Sequence, residues 1–173
     1  SSRERRWAPF RSIRRPLFAR AIAVKQGDRA VVLVALDLLG LAGKALGGWT
    51  RFQRRICAAA DGLVRPDHLI LTATHTHTAP ETLALTDLPK EAAFKKWVEF
   101  LIRQTGAATR QALGNLRPCR LVAGRAEARL GIYRRILTTR GVVLSNETPD
   151  PAIVIPRRMP VDHRVNVAAL VDD

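Results

Sequence analysis

The sequence predicts an α/β fold, a layered sandwich in which a mixed β-sheet is flanked by helices. Short apolar segments typical of strands alternate with longer segments whose apolar residues recur every three or four positions. The chain has 173 residues, of which 47% are hydrophobic, so it can bury a sizeable core. We therefore interpret residues 1–173 as a single domain.

The N-terminal half begins with a predicted β-hairpin. Gly27-Asp28 is a turn signal between two apolar segments. The second segment, Ala30 to Leu36, is continuously apolar, which predicts a strand buried on both faces. The stretch "GGWTRFQRRICAAADGL" then carries apolar residues at three- and four-residue steps and arginines between them. This pattern predicts an amphipathic helix that ends near Gly62.

The sequence from Leu69 onward predicts a strand, a long helix and two further strands. Leu69 to Thr74 is apolar and β-branched, as expected for a central strand. Asp87 and Pro89 favour the start of a long helix that stops at Gly114-Asn115. The stretches "CRLVAGRAEARLGI" and "VNVAALVDD" alternate like strands. The segment between them, Arg134 to Pro160, is rich in turn residues and is predicted to be irregular.

The charge of the chain indicates attraction to polyanions. The net charge is +14, and the cations are mostly arginines in clusters such as "RERR", "RFQRR" and "PRR". Such a chain is expected to bind polyanions nonspecifically. Only 5% of the residues are aromatic, and the clusters lack the interleaved aromatic residues of an RNA-binding sheet. Nucleic-acid binding is therefore the less favoured interpretation of the charge.

The sequence indicates neither a membrane span nor a compartment. No apolar segment approaches the roughly 18 residues that a membrane span needs. The first ten residues lack the apolar core of a signal peptide. Cys57 and Cys119 are isolated in sequence, which is more typical of small buried residues than of a disulfide or a metal site.

Two histidines follow the predicted strand at Leu69 to Thr74. His75 and His77 lie two positions apart in "TATHTHTAP", so in an extended segment both side chains point the same way. Asp37 also follows a predicted strand, and ligand sites in α/β sheets collect at the carboxyl ends of strands. Imidazole suits zinc, but a catalytic zinc needs three protein ligands. The spacing alone leaves open both a metal site and two structural histidines.

The chain resembles the neutral/alkaline ceramidase family, in particular part of its N-terminal zinc amidase domain. The resemblance rests on "RRPLFARAIAV", "VALDLLGL", "ILTATHTHTAP" and "GIYRR", which occur in the family's order. It covers residues 15–173, and the "THTH" block followed by proline is its most specific part. The family hydrolyses the amide bond of ceramide to sphingosine and a fatty acid.

The resemblance implies a zinc cofactor and a role for four residues. His75 matches a zinc ligand, and His77 matches a residue that lines the substrate cleft. Arg134 matches a cation that stabilises charge developing on the amide oxygen. Asp37 matches an aspartate at a strand end that orients a neighbour by hydrogen bonding. From the residues alone, Asp37 is as readily interpreted as a cap of the turn after "DLLG".

The chain departs from the family pattern in several places. Thr78 to Glu81 replace the usual Ser-Gly-Pro and glycines, and Tyr133 replaces an asparagine. The segments that supply the family's second zinc histidine, its glutamate and tyrosine ligands and its active-site serine are expected beyond the end of this chain. We therefore expect a partial domain, inactive by itself, whose substrate is an N-acyl amide or sphingolipid-like molecule. The alternative is a noncatalytic basic domain that binds anionic surfaces or nucleic acid.

Overall fold

The computed structural model describes residues 12–144, 149–156 and 160–172. Contacts within the chain divide it into two compact units, Ser1–Arg117 and Pro118–Asp173. The described residues form seven strands and two α-helices, which confirms the predicted α/β class. Two of the arginine clusters seen in the sequence, at residues 3–6 and 157–158, lie outside the described residues.

The first unit contains a mixed three-stranded sheet with the strand order β1-β2-β3. Strand β1 (Ala19–Gln26) runs antiparallel to β2 (Arg29–Leu36), and β2 runs parallel to β3 (Leu69–Ala73). The hairpin turns at Gly27, whose φ of +55° suits a glycine in a tight two-residue turn. The sheet is mixed as predicted, but its central strand is β2, and β3 lies at an edge.

Two α-helices, α1 (Trp49–Ala59) and α2 (Ala92–Gly114), pack against each other, and α2 also packs on the sheet. Short 3₁₀ turns at Pro66–His68 and Leu88–Lys90 precede β3 and α2. Both helices lie where the apolar spacing predicted them. The core of this unit is built from apolar residues of the helices, the sheet and the loops: Val32, Val34, Leu36, Leu38, Leu46, Phe52, Ile56, Cys57, Ala60, Val64, Leu69, Ala79, Phe94, Val98, Leu101 and Ile102.

The prediction that β2 is buried on both faces is wrong. Val32 and Val34 are fully buried, whereas Val31 and Leu33 between them are 39% and 42% exposed. Side chains alternate between the two faces of a strand, so this pattern means that the core lies on one face only. A continuous apolar segment does not distinguish a strand covered on both faces from one with an apolar exposed face.

The described residues of the second unit contain two antiparallel pairs of strands. Strand β4 (Cys119–Glu127) pairs antiparallel with β7 (Arg164–Asp172), and both strands were predicted. Strands β5 (Arg135–Thr138) and β6 (Gly141–Leu144) form a hairpin, so the prediction of an irregular segment from Arg134 to Pro160 is wrong there. The hydroxyl of Thr138 donates to the Gly141 carbonyl oxygen across the turn. The turn residues that suggested a loop instead close a hairpin.

The two cysteines have different surroundings. Cys57 is buried in the first unit, and burial raises the pKa of its thiol, as expected for a small apolar core residue. Cys119 is exposed at the start of β4, so the expectation of burial fails there. Both are free thiols. Within the described ranges, neither α-helix has the length and apolar character that a bilayer span requires.

Candidate functional site

His75 lies directly beyond the carboxyl end of β3. The amide of Thr74 still donates to the Leu36 carbonyl oxygen, 2.9 Å away, which extends the pairing with β2 by one residue. At His75 the backbone turns into the left-handed region with a φ of +62°. This conformation costs a residue with a Cβ about 1 kcal/mol or more and is seen most often at turns and functional sites.

A hydrogen bond to a backbone carbonyl holds the ring of His75. Its Nδ1 lies 2.6 Å from the carbonyl oxygen of Leu39, in the loop that follows β2. A carbonyl oxygen can only accept, so Nδ1 carries the proton and donates it. In the neutral ring the lone pair is therefore on Nε2. A backbone carbonyl that holds Nδ1–H in this way is the usual support of a histidine that binds metal through Nε2.

His77 lies against His75. The two ring centroids are 5.1 Å apart and the ring planes meet at 81°, an edge-to-face contact. Both histidines are exposed. Between and after them, the hydroxyls of Thr76 and Thr78 are 2.9 Å apart, and the Thr78 amide donates to the Thr76 hydroxyl. The two imidazoles thus share one region of the surface.

Asp37 lies at the carboxyl end of β2, but its carboxylate contacts β1 and the residue before it. It accepts hydrogen bonds from the Phe18 amide at 3.0 Å and from the Arg20 guanidinium at 3.1 Å to each oxygen. The Asp37 amide in turn donates to the Phe18 carbonyl oxygen. These partners are 17 and 19 residues away in sequence, so the carboxylate is not the local turn cap that was the alternative. It orients Arg20, whose guanidinium lies 4.6 Å from the centroid of the Phe18 ring.

Two loops beside His75 are tied together by the residues after Pro80. The hydroxyl of Thr82, a fully buried residue, donates to the Gly40 carbonyl oxygen at 2.5 Å, and the Ala42 amide donates to the Thr82 carbonyl oxygen. Glu81 is only 6% exposed. Its carboxylate accepts from the amides of Leu83, Leu85 and Thr86 and from the Thr86 hydroxyl. Thr82 thus fixes the loop that follows His77 against the loop that carries Leu39, and Glu81 holds the next residues of its own loop together.

A groove of about 330 Å³ is lined in part by the segment that contains Asp37. Its walls are mostly apolar side chains of α2 and of the residues that lead into β1, including Phe18, Trp97 and Phe100. Asp37 and Leu38 also line it, and Leu39, the partner of His75, comes next in sequence. Asp37 and Leu38 therefore line an apolar groove, and the next residue, Leu39, holds His75.

Arg134, His163 and His68 are described within the unit to which each belongs. Arg134 is an exposed residue of the second unit, directly before β5. His163 is partly buried directly before β7, and its Nδ1 has no hydrogen-bond partner among the described residues. His68 ends a 3₁₀ turn in the first unit. Within residues 12–144, 149–156 and 160–172, no three histidine, cysteine, aspartate or glutamate side chains converge as a metal site.

Sequence reasoning did not find the partners of the site residues. Leu39 acts through a backbone oxygen, which no side-chain pattern reveals. Glu81 was noted only as a departure from a family motif, although an acid before "TLALT" is a plausible acceptor for the amides of a tight loop. Comparison with known proteins adds nothing to these observations, since no family model, curated protein or solved structure matches the chain.

Proposed function

We propose that the first unit carries part of the catalytic centre of a zinc-dependent amidohydrolase resembling neutral ceramidase. The observation that carries the proposal is the hydrogen bond from His75 Nδ1 to the Leu39 carbonyl oxygen, which leaves Nε2 as the ligand atom. Zinc, when bound, would act as a Lewis acid on an amide carbonyl and would lower the pKa of bound water to about 7.

Three further features support this assignment. His75 adopts a left-handed backbone at the carboxyl end of a strand that is parallel to its neighbour, where α/β enzymes place their ligands. The contact with His77 gives a second imidazole beside the proposed metal ligand. The groove bordered by Asp37 and Leu38 is largely apolar, which suits an N-acyl amide with an aliphatic part, such as a sphingolipid.

The proposed roles of the other residues follow the resemblance. His77 would line the substrate cleft, where its imidazole could form a hydrogen bond with the bound amide or transfer a proton to or from it. Arg134 would stabilise negative charge on the amide oxygen. Asp37 would act through Arg20 and the chain entering β1, because those are the groups that it holds. A zinc site needs at least three protein ligands, so we propose that the isolated chain is inactive.

Zinc titration of the chain, followed by calorimetry, tests the proposal. We expect weak binding, because the described residues do not close a site of three or four ligands, and we expect the fold to persist without zinc. A His75→Ala substitution should weaken binding by at least about tenfold, as the loss of a ligand's support alone does. The matched control His68→Ala, a histidine at the end of a 3₁₀ turn, should leave binding unchanged.

Two outcomes would contradict this expectation. Equal zinc affinities of the His75→Ala variant and the unmodified chain would remove His75 from the site. Tight stoichiometric binding that disappears in a His163→Ala variant would place the metal in the second unit, beside an imidazole whose buried Nδ1 has no partner among the described residues.

The charge of the chain favours a second candidate function, a noncatalytic basic domain. A net charge of +14 on 173 residues attracts anionic surfaces and nucleic acid at low salt. This attraction is screened within about 8 Å at physiological ionic strength. Binding to DNA that is sequence-selective and survives physiological salt would make this candidate the better account.

A further inference from the structure

The two packed helices of the first unit present a group of arginines around one acid. Arg51 and Arg55 are one turn apart on α1, and Glu99 and Arg103 are one turn apart on α2. The guanidinium of Arg55 donates to the Glu99 carboxylate across the helix pair. The two side chains of this ion pair are 37% and 48% exposed, so the group is open to solvent. We call these four residues the guanidinium cluster.

The cluster has more positive than negative charge. Glu99 has a lowered pKa, chiefly because Arg55 donates a hydrogen bond to it, and also because of the charges of Arg55, Arg103 and Arg51. The cluster therefore contains three guanidinium groups and one carboxylate, an excess of two positive charges among its own four residues. Other ion pairs on the surface of this unit are simpler: Arg65 with Asp67, for example, pairs one cation with one acid.

We propose that the guanidinium cluster binds a phosphate group, and that the Glu99 carboxylate occupies the position of this anion when no phosphate is present. Guanidinium groups donate paired hydrogen bonds in a fork that matches phosphate oxygens. A phosphomonoester carries nearly two negative charges and three acceptor oxygens, so it can neutralise more of the positive charge of the three guanidinium groups than one carboxylate does. Free phosphate and the phosphomonoester headgroup of a lipid offer the same chemistry.

This proposal does not rest on the amidohydrolase assignment. The cluster lies on the helices, and none of its residues contributes to the histidine pair or to the Asp37 contacts. It differs from the general attraction of the chain to polyanions because it depends on four particular residues. Substitutions that change the net charge equally at different positions distinguish the two.

Titration of the full chain with inorganic phosphate and with pyrophosphate at physiological salt, followed by calorimetry, tests the proposal. A Glu99→Gln substitution removes the competing carboxylate and should tighten binding about fivefold, since exposed ion pairs contribute up to about 1 kcal/mol. The matched control Asp67→Asn adds the same charge beside Arg65 and should change the affinity less than twofold. A Glu99→Gln variant with the affinity of the Asp67→Asn variant would overturn the proposal.

Removal of the arginines gives the complementary test. The double substitution Arg51→Gln and Arg103→Gln should weaken pyrophosphate binding at least about tenfold, because two of three charge-assisted contacts are lost. The control pair Arg65→Gln and Arg164→Gln removes the same charge elsewhere and should have less than a twofold effect. Equal weakening in both pairs would show that only net charge acts. Thermal unfolding of each variant establishes that it folds.

Vesicles distinguish the two sources of phosphate. The unmodified chain should bind vesicles that contain phosphatidic acid more tightly than vesicles of equal charge that contain phosphatidylserine, if the ligand is a lipid headgroup. Binding of free pyrophosphate with no preference between the two vesicles supports a soluble phosphate ligand. Failure to bind free phosphate, pyrophosphate and phosphatidic acid at physiological salt would overturn the assignment.

Discussion

A Gly106→Ala variant is expected to unfold with a free energy lower by about 3 kcal/mol, near the upper end of the range for overpacked cores. Gly106 is buried in α2, where the helix crosses α1. A Cβ at this position would lie 2.6 Å from both the carbonyl carbon and the Cβ of Ala59. The obstacle is backbone rather than the end of a flexible side chain. Relief therefore requires the two helices to separate.

Chemical denaturation of Gly106→Ala and Gly114→Ala measures the effect against a matched control. Gly114 is the last residue of the same helix, and a Cβ there would meet nothing within 4 Å. Alanine is the better helix former by up to about 1 kcal/mol, so Gly114→Ala should leave stability unchanged or raise it slightly. If both variants unfold at the same denaturant concentration, the close approach of α1 and α2 at Gly106 is wrong.

A Glu81→Ala variant is expected to lose about 2–3 kcal/mol of unfolding free energy and to loosen the loop after His77. The Glu81 carboxylate accepts from three backbone amides and one hydroxyl within the loop, and the residue is 6% exposed. Removing the carboxylate leaves those donors without their acceptor. Each donor that stays buried and that water does not reach then lowers the unfolding free energy by about 1–3 kcal/mol. Hydrogen exchange of the amides of Leu83, Leu85 and Thr86 should accelerate strongly.

Glu91→Ala provides the control for the same chemical change. Glu91 is exposed at the start of α2 and makes no side-chain capping hydrogen bond, so its loss should change stability by less than about 0.5 kcal/mol. A Glu81→Gln variant keeps one oxygen acceptor and should lie between the two alanine variants. Unchanged exchange rates in Glu81→Ala would mean that the carboxylate does not hold the loop.

The elements of this fold could be predicted from local patterns, because each pattern has a local cause. The Gly27-Asp28 turn fixed the hairpin, and three- and four-residue spacing of apolar residues located both helices. Burial was harder to predict. Val31 and Leu33 are as apolar as Val32 and Val34, yet only the second pair lies in the core. Which face of a strand is covered depends on elements distant in sequence.

The candidate site could be located from sequence but not constructed. His75, His77 and Asp37 follow strands, which placed them at the carboxyl ends of β2 and β3. The groups that bond to His75 and Asp37 are Leu39, Arg20 and Phe18, and these are brought in by the tertiary pairing of loops and strands. Every residue carries a backbone carbonyl, so the residue type does not indicate which carbonyl will bond to a histidine. Its role appears only when the fold places it beside an imidazole.

Nitrogen NMR of the His75 ring tests the central claim most directly. Long-range correlations between the ring protons and ring nitrogens identify which nitrogen carries the proton in a neutral histidine. We predict Nδ1–H in the metal-free chain, because Nδ1 donates to the Leu39 carbonyl oxygen, and we predict that added zinc shifts the Nε2 resonance of His75. An Nε2–H tautomer, or zinc-induced shifts at other histidines with His75 unchanged, would contradict the assignment of His75 as a metal ligand.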